Sequence, residues 1–172
     1  TRYQAVTSKK SYSDFIQSLD QGNTPLDTHN KHVCALSVLL LLSLGNCTPN
    51  EVADLGFAAL DHDLCLDQLP EIFLGQHLGG ASLSIEAMKN FFGNQLNMDY
   101  KSHIELVIKQ LSGAGFPLND SVLKTILHHH ENSDGSGFYN IKGASIYRLA
   151  KVLRIADDLI ALVHNEAAPR SL

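Results

Sequence analysis

The chain has 172 residues, 44% of them hydrophobic, and a net charge of −5 with histidine counted as neutral. This length fits one domain with a buried core, and the apolar content excludes a disordered chain. The acidic balance and the lack of a basic run argue against a duplex nucleic-acid binder, because such proteins cluster lysine and arginine against the phosphates. A small phosphate ligand needs only a few cations and stays compatible with the composition.

Cysteine usage and hydropathy bear on the location of the protein. Cys34, Cys47 and Cys65 stand in apolar surroundings without a disulfide framework, which predicts reduced thiols and a cytosolic protein. The longest apolar run, from Ala35 to Leu44, is shorter than the roughly 20 residues that span a bilayer. We therefore expect no membrane span in this chain, and no signal peptide opens it.

Helix signals follow one another along the chain without an alternating strand pattern, so we predict an all-α domain. The clearest start is Thr48-Pro49-x-Glu51, a capping box with proline at the first helical position. In chain order, the predicted helices are Ser11 to Leu19, one capped by Asp27 or Thr28 that runs to Leu44, Pro49 to Leu66, Ile85 to Phe92, Tyr100 to Leu111, one capped by Asn119 or Asp120 that runs to His130, and one capped by Ser145 that runs to His164. Glycines predict a loop or short turns from Leu69 to Ser84 and a turn around Gly135.

Polar side chains interrupt the apolar stripes of these helices. Beyond Pro49, helical periodicity places His62 and Asp63 on either side of the centre of the stripe and turns Asp61 to the opposite face. Burying a carboxylate is costly unless it is paired or binds a metal. An imidazole beside a carboxylate on the core side of a helix therefore suggests a metal site.

The other helices repeat this arrangement, and His128 and Asp158 are predicted to face away from the core. Five helices direct polar groups to one interior: His29, His62, Asp63, His103, His129, His130 and Asp157. Imidazole and carboxylate donors suit iron, manganese, nickel or zinc, and a shared aspartate can bridge two ions that clamp a phosphoryl group and activate water. For each residue alone, the alternative is a hydrogen-bonded core histidine or a solvated aspartate.

The segment from His129 to Phe138 reads HHENSDGSGF and resembles the signature of the HD-GYP phosphodiesterases, a His-His-Glu followed by an Asp-Gly-x-Gly-Tyr-Pro run. Further similarity lies in the dyad His62-Asp63, in His29 and His103, in Ile141-Lys142-Gly143 and in Ile155-Ala156-Asp157. The resemblance covers about Leu26 to Val163. It implies an HD-superfamily helical bundle with a buried dinuclear metal site over residues 25–165, after a lead segment or linker at 1–24 and before a tail at 166–172.

The resemblance implies a bacterial signalling enzyme that hydrolyses cyclic di-GMP to linear pGpG or GMP through a metal-bound hydroxide. His62 and Asp63 are the implied catalytic residues, with Asp63 bridging two divalent ions. In the implied division, one ion takes His29, His62 and Asp157 and the other takes His103, His129 and His130. Iron or manganese is the expected metal, with nickel, zinc or magnesium as alternatives.

Three basic residues are candidates for contact with the substrate phosphates, and a solvated helix face is the alternative for each: Lys142, Lys151 and Arg154. Glu131 is expected either to hydrogen-bond a ligand imidazole or to end its helix, and Asp134 to fix the following turn. The expected partners are a cyclic dinucleotide and a fused or interacting signalling domain.

The chain departs from the family pattern at substrate-binding positions. The glycine and lysine that usually follow the dyad are replaced by Cys65 and Leu66, and the Gly-Tyr-Pro run reads Gly137-Phe138-Tyr139. These changes favour, as the alternative, a weakly active or inactive signalling module that keeps metals and binds a nucleotide or a protein. A third hypothesis is an HD hydrolase for another nucleotide. The stretch from Phe73 to Asn97 suggests an added lid or partner surface.

Overall fold

The computed structural model describes residues 24–66, 100–115 and 118–167. They form α1 (Pro25–Ser43), α2 (Pro49–Asp61), α3 (100–113), α4 (Asp120–His128) and α5 (Arg148–Ala167), with a 3-10 turn at Gly143–Ser145. None of these residues lies in a strand, so the all-α prediction is confirmed. The helices predicted at Ser11–Leu19 and Ile85–Phe92, the loop from Leu69 to Ser84 and the stretch from Phe73 to Asn97 lie outside the described residues.

The first long helix begins at a different N-cap from the two that the sequence predicts. Thr24, and neither Asp27 nor Thr28, is the N-cap of α1, and its side chain accepts the backbone N–H of Asp27 at 3.0 Å. The Thr24 hydroxyl donates to the Asp27 carboxylate at 2.9 Å. Thr24-Pro25-x-Asp27 thus has the same pattern as Thr48-Pro49-x-Glu51, except that its acidic side chain is shorter. At Thr48 and Glu51, both hydrogen bonds of the capping box form.

Three other predicted helix ends are wrong. α2 ends at Asp61 instead of Leu66, and the chain continues in tight turns in which Leu66 N donates to Asp63 O at 2.9 Å. α4 ends at His128 instead of His130. α5 begins at Arg148 instead of after Ser145, because the chain is extended at the buried Ile146.

Of the residues that were predicted to face away from the core, Asp61 is buried and His128 is half-buried. Asp61 is only 4% exposed, because α1 packs along this side of α2, where Cys34 Sγ donates to Gly56 O at 3.4 Å. Burial, and then the charge of Asp61, raise the pKa of the Cys34 thiol to about 12. His128 is half-buried, and its Nδ1 accepts the backbone N–H of Tyr147 at 3.1 Å, which ties the end of α4 to the start of α5.

Two apolar clusters hold the helices together. One joins α2, α3 and α4 through fully buried side chains such as Leu66, Ile104 and Ile126, and the other joins α1, α2 and α5 through Leu41 and Leu153. Each such side chain contributes about 1.5–3 kcal/mol on burial. Within the described ranges, no helix has the length and apolar content needed to cross a membrane.

Candidate metal centre

All seven side chains predicted as metal ligands lie in one buried cluster, and none is more than 6% exposed. Each helix, or the turn that follows it, contributes: His29 from α1, His62 and Asp63 after α2, His103 from α3, His129 and His130 after α4, and Asp157 from α5. The structure therefore brings together residues that are far apart in the sequence.

The cluster divides into two groups whose potential ligand atoms all lie within 4.8 Å of one another. The first group is His29, His62, Asp63 and Asp157, and the second is Asp63, His103, His129 and His130. Asp63 belongs to both. Its Oδ2 lies 3.2 Å from His62 Nε2 in the first group, and its Oδ1 lies 3.4 Å from His103 Nε2 in the second. One carboxylate thus faces two sites, which is the arrangement of a bridging ligand.

The distances between donor atoms fit divalent ions. In the first group, Asp157 Oδ1 lies 2.9 Å from His29 Nε2 and 3.8 Å from His62 Nε2. Ligands bound to one ion at about 2.0–2.2 Å lie roughly 3–4.4 Å apart. In the second group, the Nε2 atoms of His129 and His130 are buried and have no hydrogen-bond partner among the described residues. Buried polar atoms seldom lack a partner, so both nitrogens suit a ligand role.

Backbone carbonyls orient three of the imidazoles. His62 Nδ1 lies 3.0 Å from Ala59 O, His129 Nδ1 lies 2.6 Å from Ile126 O, and His103 Nδ1 contacts Tyr100 O. A carbonyl only accepts, so Nδ1 carries a proton in each of these rings and Nε2 faces the cluster. Ala59 and Ile126 lie in the last turns of α2 and α4, where carbonyls have no partner within the helix. The early ends of α2 and α4 therefore help to orient His62 and His129.

Charge is distributed unevenly over the imidazoles. Burial lowers the pKa of His62, but the carboxylates of Asp63 and Asp157 outweigh this effect and raise the pKa to about 10. Burial and the neighbouring His62 lower the pKa of His129 to about 3. Burial, followed by the neighbouring histidines, lowers the pKa of His130 well below its usual value. Near neutral pH, His62 is therefore protonated, whereas His129 and His130 are neutral.

Glu131 closes the loop that follows α4. Its buried carboxylate accepts the backbone N–H groups of Tyr139 at 2.7 Å and of Ile141 at 2.6 Å. Neither earlier expectation, an imidazole partner or a helix end, describes this role. The closed loop places the ring of Phe138 with its centroid 4.9 Å from that of His130. Glu131 thus helps to position one wall of the cluster.

The turn inside this loop forms as predicted. Asp134 Oδ1 accepts the backbone N–H of Ser136 at 2.9 Å and its hydroxyl at 2.7 Å. Gly135 has a backbone φ of +86°, which residues with a side chain rarely adopt. The aliphatic part of the Lys142 side chain packs over this glycine, so an added Cβ would lie only 2.7 Å from Lys142 Cγ.

We expect Gly137→Ala to lower the free energy of unfolding by about 1–3 kcal/mol. An added Cβ would lie 2.5 Å from the backbone Cα of Glu131, so the loop must shift. Urea denaturation of the metal-free protein measures this loss. Gly113→Ala is the matched control, because nothing lies within 4 Å of its added Cβ and alanine favours the end of α3. Equal stabilities of the two variants would contradict the close approach.

Tyr100, predicted from the sequence only as the start of a helix, lies at the cluster. It is 6% exposed, and its ring centroid lies 4.9 Å from that of His103 and 5.5 Å from that of His130. The available signal was its position three residues before His103, on the same face of α3. Tyr100 therefore packs against two members of the second group.

The three basic candidates occupy different surroundings. Lys142 and Lys151 are exposed. Arg154 contacts the cluster, because its Nη1 lies 3.1 Å from His130 Nδ1, and its Nε donates to Asp158 Oδ2 at 2.7 Å. Leu66, at the position of the expected lysine, is fully buried in the apolar core. Of the three basic candidates, Arg154 from α5 is therefore the one that contacts the cluster.

Comparison with known proteins identifies a family. The family model described as HD domain matches residues 19–171, which include every residue of the cluster. Neither the search of the curated proteins nor the search of the solved structures found a match. HD domains are commonly metal-dependent phosphohydrolases, and the buried histidines and aspartates are a donor set that can hold divalent ions.

Proposed function

The chain belongs to the HD domain family, and from this premise we propose that it is a metal-dependent phosphodiesterase of the HD-GYP type that hydrolyses cyclic di-GMP. The observation that carries the proposal is the position of Asp63, whose two oxygens face two separate groups of buried donors. The segment from His129 to Phe138 supports the subfamily and the substrate.

We propose a role for each of the two groups of residues. His29, His62 and Asp157 would hold one ion, and His103, His129 and His130 the other, with Asp63 shared. Two divalent ions, with iron or manganese expected, would supply Lewis acidity towards phosphoryl oxygens and would lower the pKa of bound water. The protein contributes a buried, oriented donor set, in which backbone carbonyls hold three imidazoles with Nε2 inward. Arg154, beside the cluster, is the proposed phosphate contact, and Lys142 and Lys151 stay predictions.

Leu66 supports a second candidate function. Its side chain is fully buried where the family usually offers a lysine to the phosphate. A charge-assisted contact of this kind contributes about 1.5–3 kcal/mol, so its loss would weaken substrate binding by roughly 10- to 150-fold. The second candidate is therefore a signalling module that keeps its metals and binds a nucleotide or a protein partner without efficient hydrolysis.

Hydrolysis of cyclic di-GMP by the purified protein tests the proposal. The protein is loaded anaerobically with iron(II) or manganese(II), its metal content is measured, and linear pGpG and GMP are separated by chromatography. We expect turnover in the wild type and a loss of at least about 100-fold in His62→Ala. His32→Ala is the matched control, because it also removes a histidine but takes it from an exposed position on α1.

Each outcome selects one hypothesis. Turnover that survives His62→Ala unchanged would refute a role for the dyad. No turnover in protein that carries two metals per chain would favour the signalling module. Activity on other phosphate esters, without activity on cyclic di-GMP, would favour an HD hydrolase for another nucleotide.

A further inference from the structure

His130 differs from the three imidazoles that backbone carbonyls orient. Its Nδ1 lies 3.1 Å from Nη1 of Arg154. A guanidinium is always charged and only donates hydrogen bonds, whereas a carbonyl only accepts them. The outer nitrogen of His130 therefore faces a donor, and the outer nitrogens of His62, His103 and His129 face acceptors.

This contact determines which nitrogen of His130 carries the proton. To accept from Arg154, Nδ1 must present its lone pair, so the single proton of the neutral ring lies on Nε2. Nε2 is buried in the cluster and has no hydrogen-bond partner among the described residues. A protonated ring nitrogen cannot bind a metal. While Arg154 contacts Nδ1, His130 is therefore not a ligand through Nε2.

The arginine moves more easily than the ring. The ring of His130 packs between Tyr100, with centroids 5.5 Å apart, and Phe138, with centroids 4.9 Å apart. The side chain of Arg154 is 25% exposed, and its other partner, Asp158, is 41% exposed. A long side chain held by an exposed carboxylate changes rotamer at little cost.

We propose that Arg154 controls the metal-binding state of His130 and thereby the occupancy of the second group. With Arg154 in place, this group offers Asp63, His103 and His129. When the guanidinium leaves, the ring exchanges its Nε2 proton for one on Nδ1 through solvent, with no net change in charge, and Nε2 becomes a fourth ligand. The metal step of this inference rests on the proposed function, whereas the proton position in the metal-free protein does not.

Nuclear magnetic resonance tests the proton position directly. In ¹⁵N-labelled, metal-free protein, long-range ¹H–¹⁵N correlations distinguish a proton on Nδ1 from one on Nε2. We expect Nδ1–H at His129 and Nε2–H at His130, with His130→Gln used to assign the signals. Arg154→Lys keeps a donor and should preserve Nε2–H, whereas Arg154→Met removes the donor and should shift the ring towards Nδ1–H. A wild-type ring with its proton on Nδ1 would overturn the proposal.

Manganese(II) titration by calorimetry tests the consequence for metal binding. We expect two unequal steps in the wild type and in Arg154→Lys. In Arg154→Met, the weaker step should strengthen about tenfold, the lower end of the effect of a ligand's outer partner, while the stronger step stays unchanged. An unchanged weaker step would contradict the proposal. Absence of manganese binding in all three proteins would refute the proposed function, while the proton position would still decide whether Arg154 acts on His130.

Discussion

Replacing Asp63 with Asn is expected to remove both metals and to lower hydrolysis by at least about 100-fold. The Asp63 oxygens lie 3.2 Å from His62 Nε2 and 3.4 Å from His103 Nε2, in different groups. An asparagine loses the negative charge and can offer only one oxygen, so neither group keeps its shared ligand. Elemental analysis should show the metal content falling from about two per chain to below one.

Asp157→Asn is the matched control for this prediction. Asp157 is almost as deeply buried as Asp63 but belongs to the first group alone. Its replacement should therefore remove one ion and leave the second group filled. Circular dichroism establishes that both variants keep their helices. Asp63→Asn protein that retains two metals would show that the carboxylate does not join the two groups.

The affinity of the first group for metal should depend steeply on pH. The pKa of His62 is raised from 6.5 to about 10, because the carboxylates of Asp63 and Asp157 outweigh the effect of burial. Below pH 10 the metal-free protein therefore holds a proton on His62, and a metal must displace it. The apparent affinity should fall about tenfold for each unit by which the pH is lowered, or about 100-fold from pH 9 to pH 7.

The second group provides an internal comparison, because the pKa of His129 is lowered to about 3 and that of His130 is also lowered. Neither ring has a proton to release between pH 7 and 9. Calorimetry in buffers of different ionisation enthalpy should detect about one proton released for the ion at His62, and none from His129 or His130. Affinity that is independent of pH at the first group would contradict a protonated His62.

Local sequence determined the helical character and the direction of the ligand side chains. The periodicity of a helix determines the face on which a residue lies, so His29, His103 and Asp157 could be assigned to the core side from their apolar neighbours. The same reasoning placed Asp61 on the face opposite the apolar stripe but did not predict its burial, because a residue's own helix does not show what packs on its other face. Subfamily and substrate rest on motifs and stay proposals.

Only the tertiary structure decided where the helices end and which ligands meet. α2 ends at Asp61, and Ala59 O then accepts from His62 Nδ1, because contacts with the rest of the fold compensate for the lost helical hydrogen bonds. His29 and Asp157 meet at 2.9 Å although 128 positions separate them, a pairing that no local pattern encodes. The contact of Arg154 with His130 likewise joins α5 to the turn after α4. Packing of these elements determines which nitrogen of His130 faces the guanidinium, so no local sequence pattern could predict it.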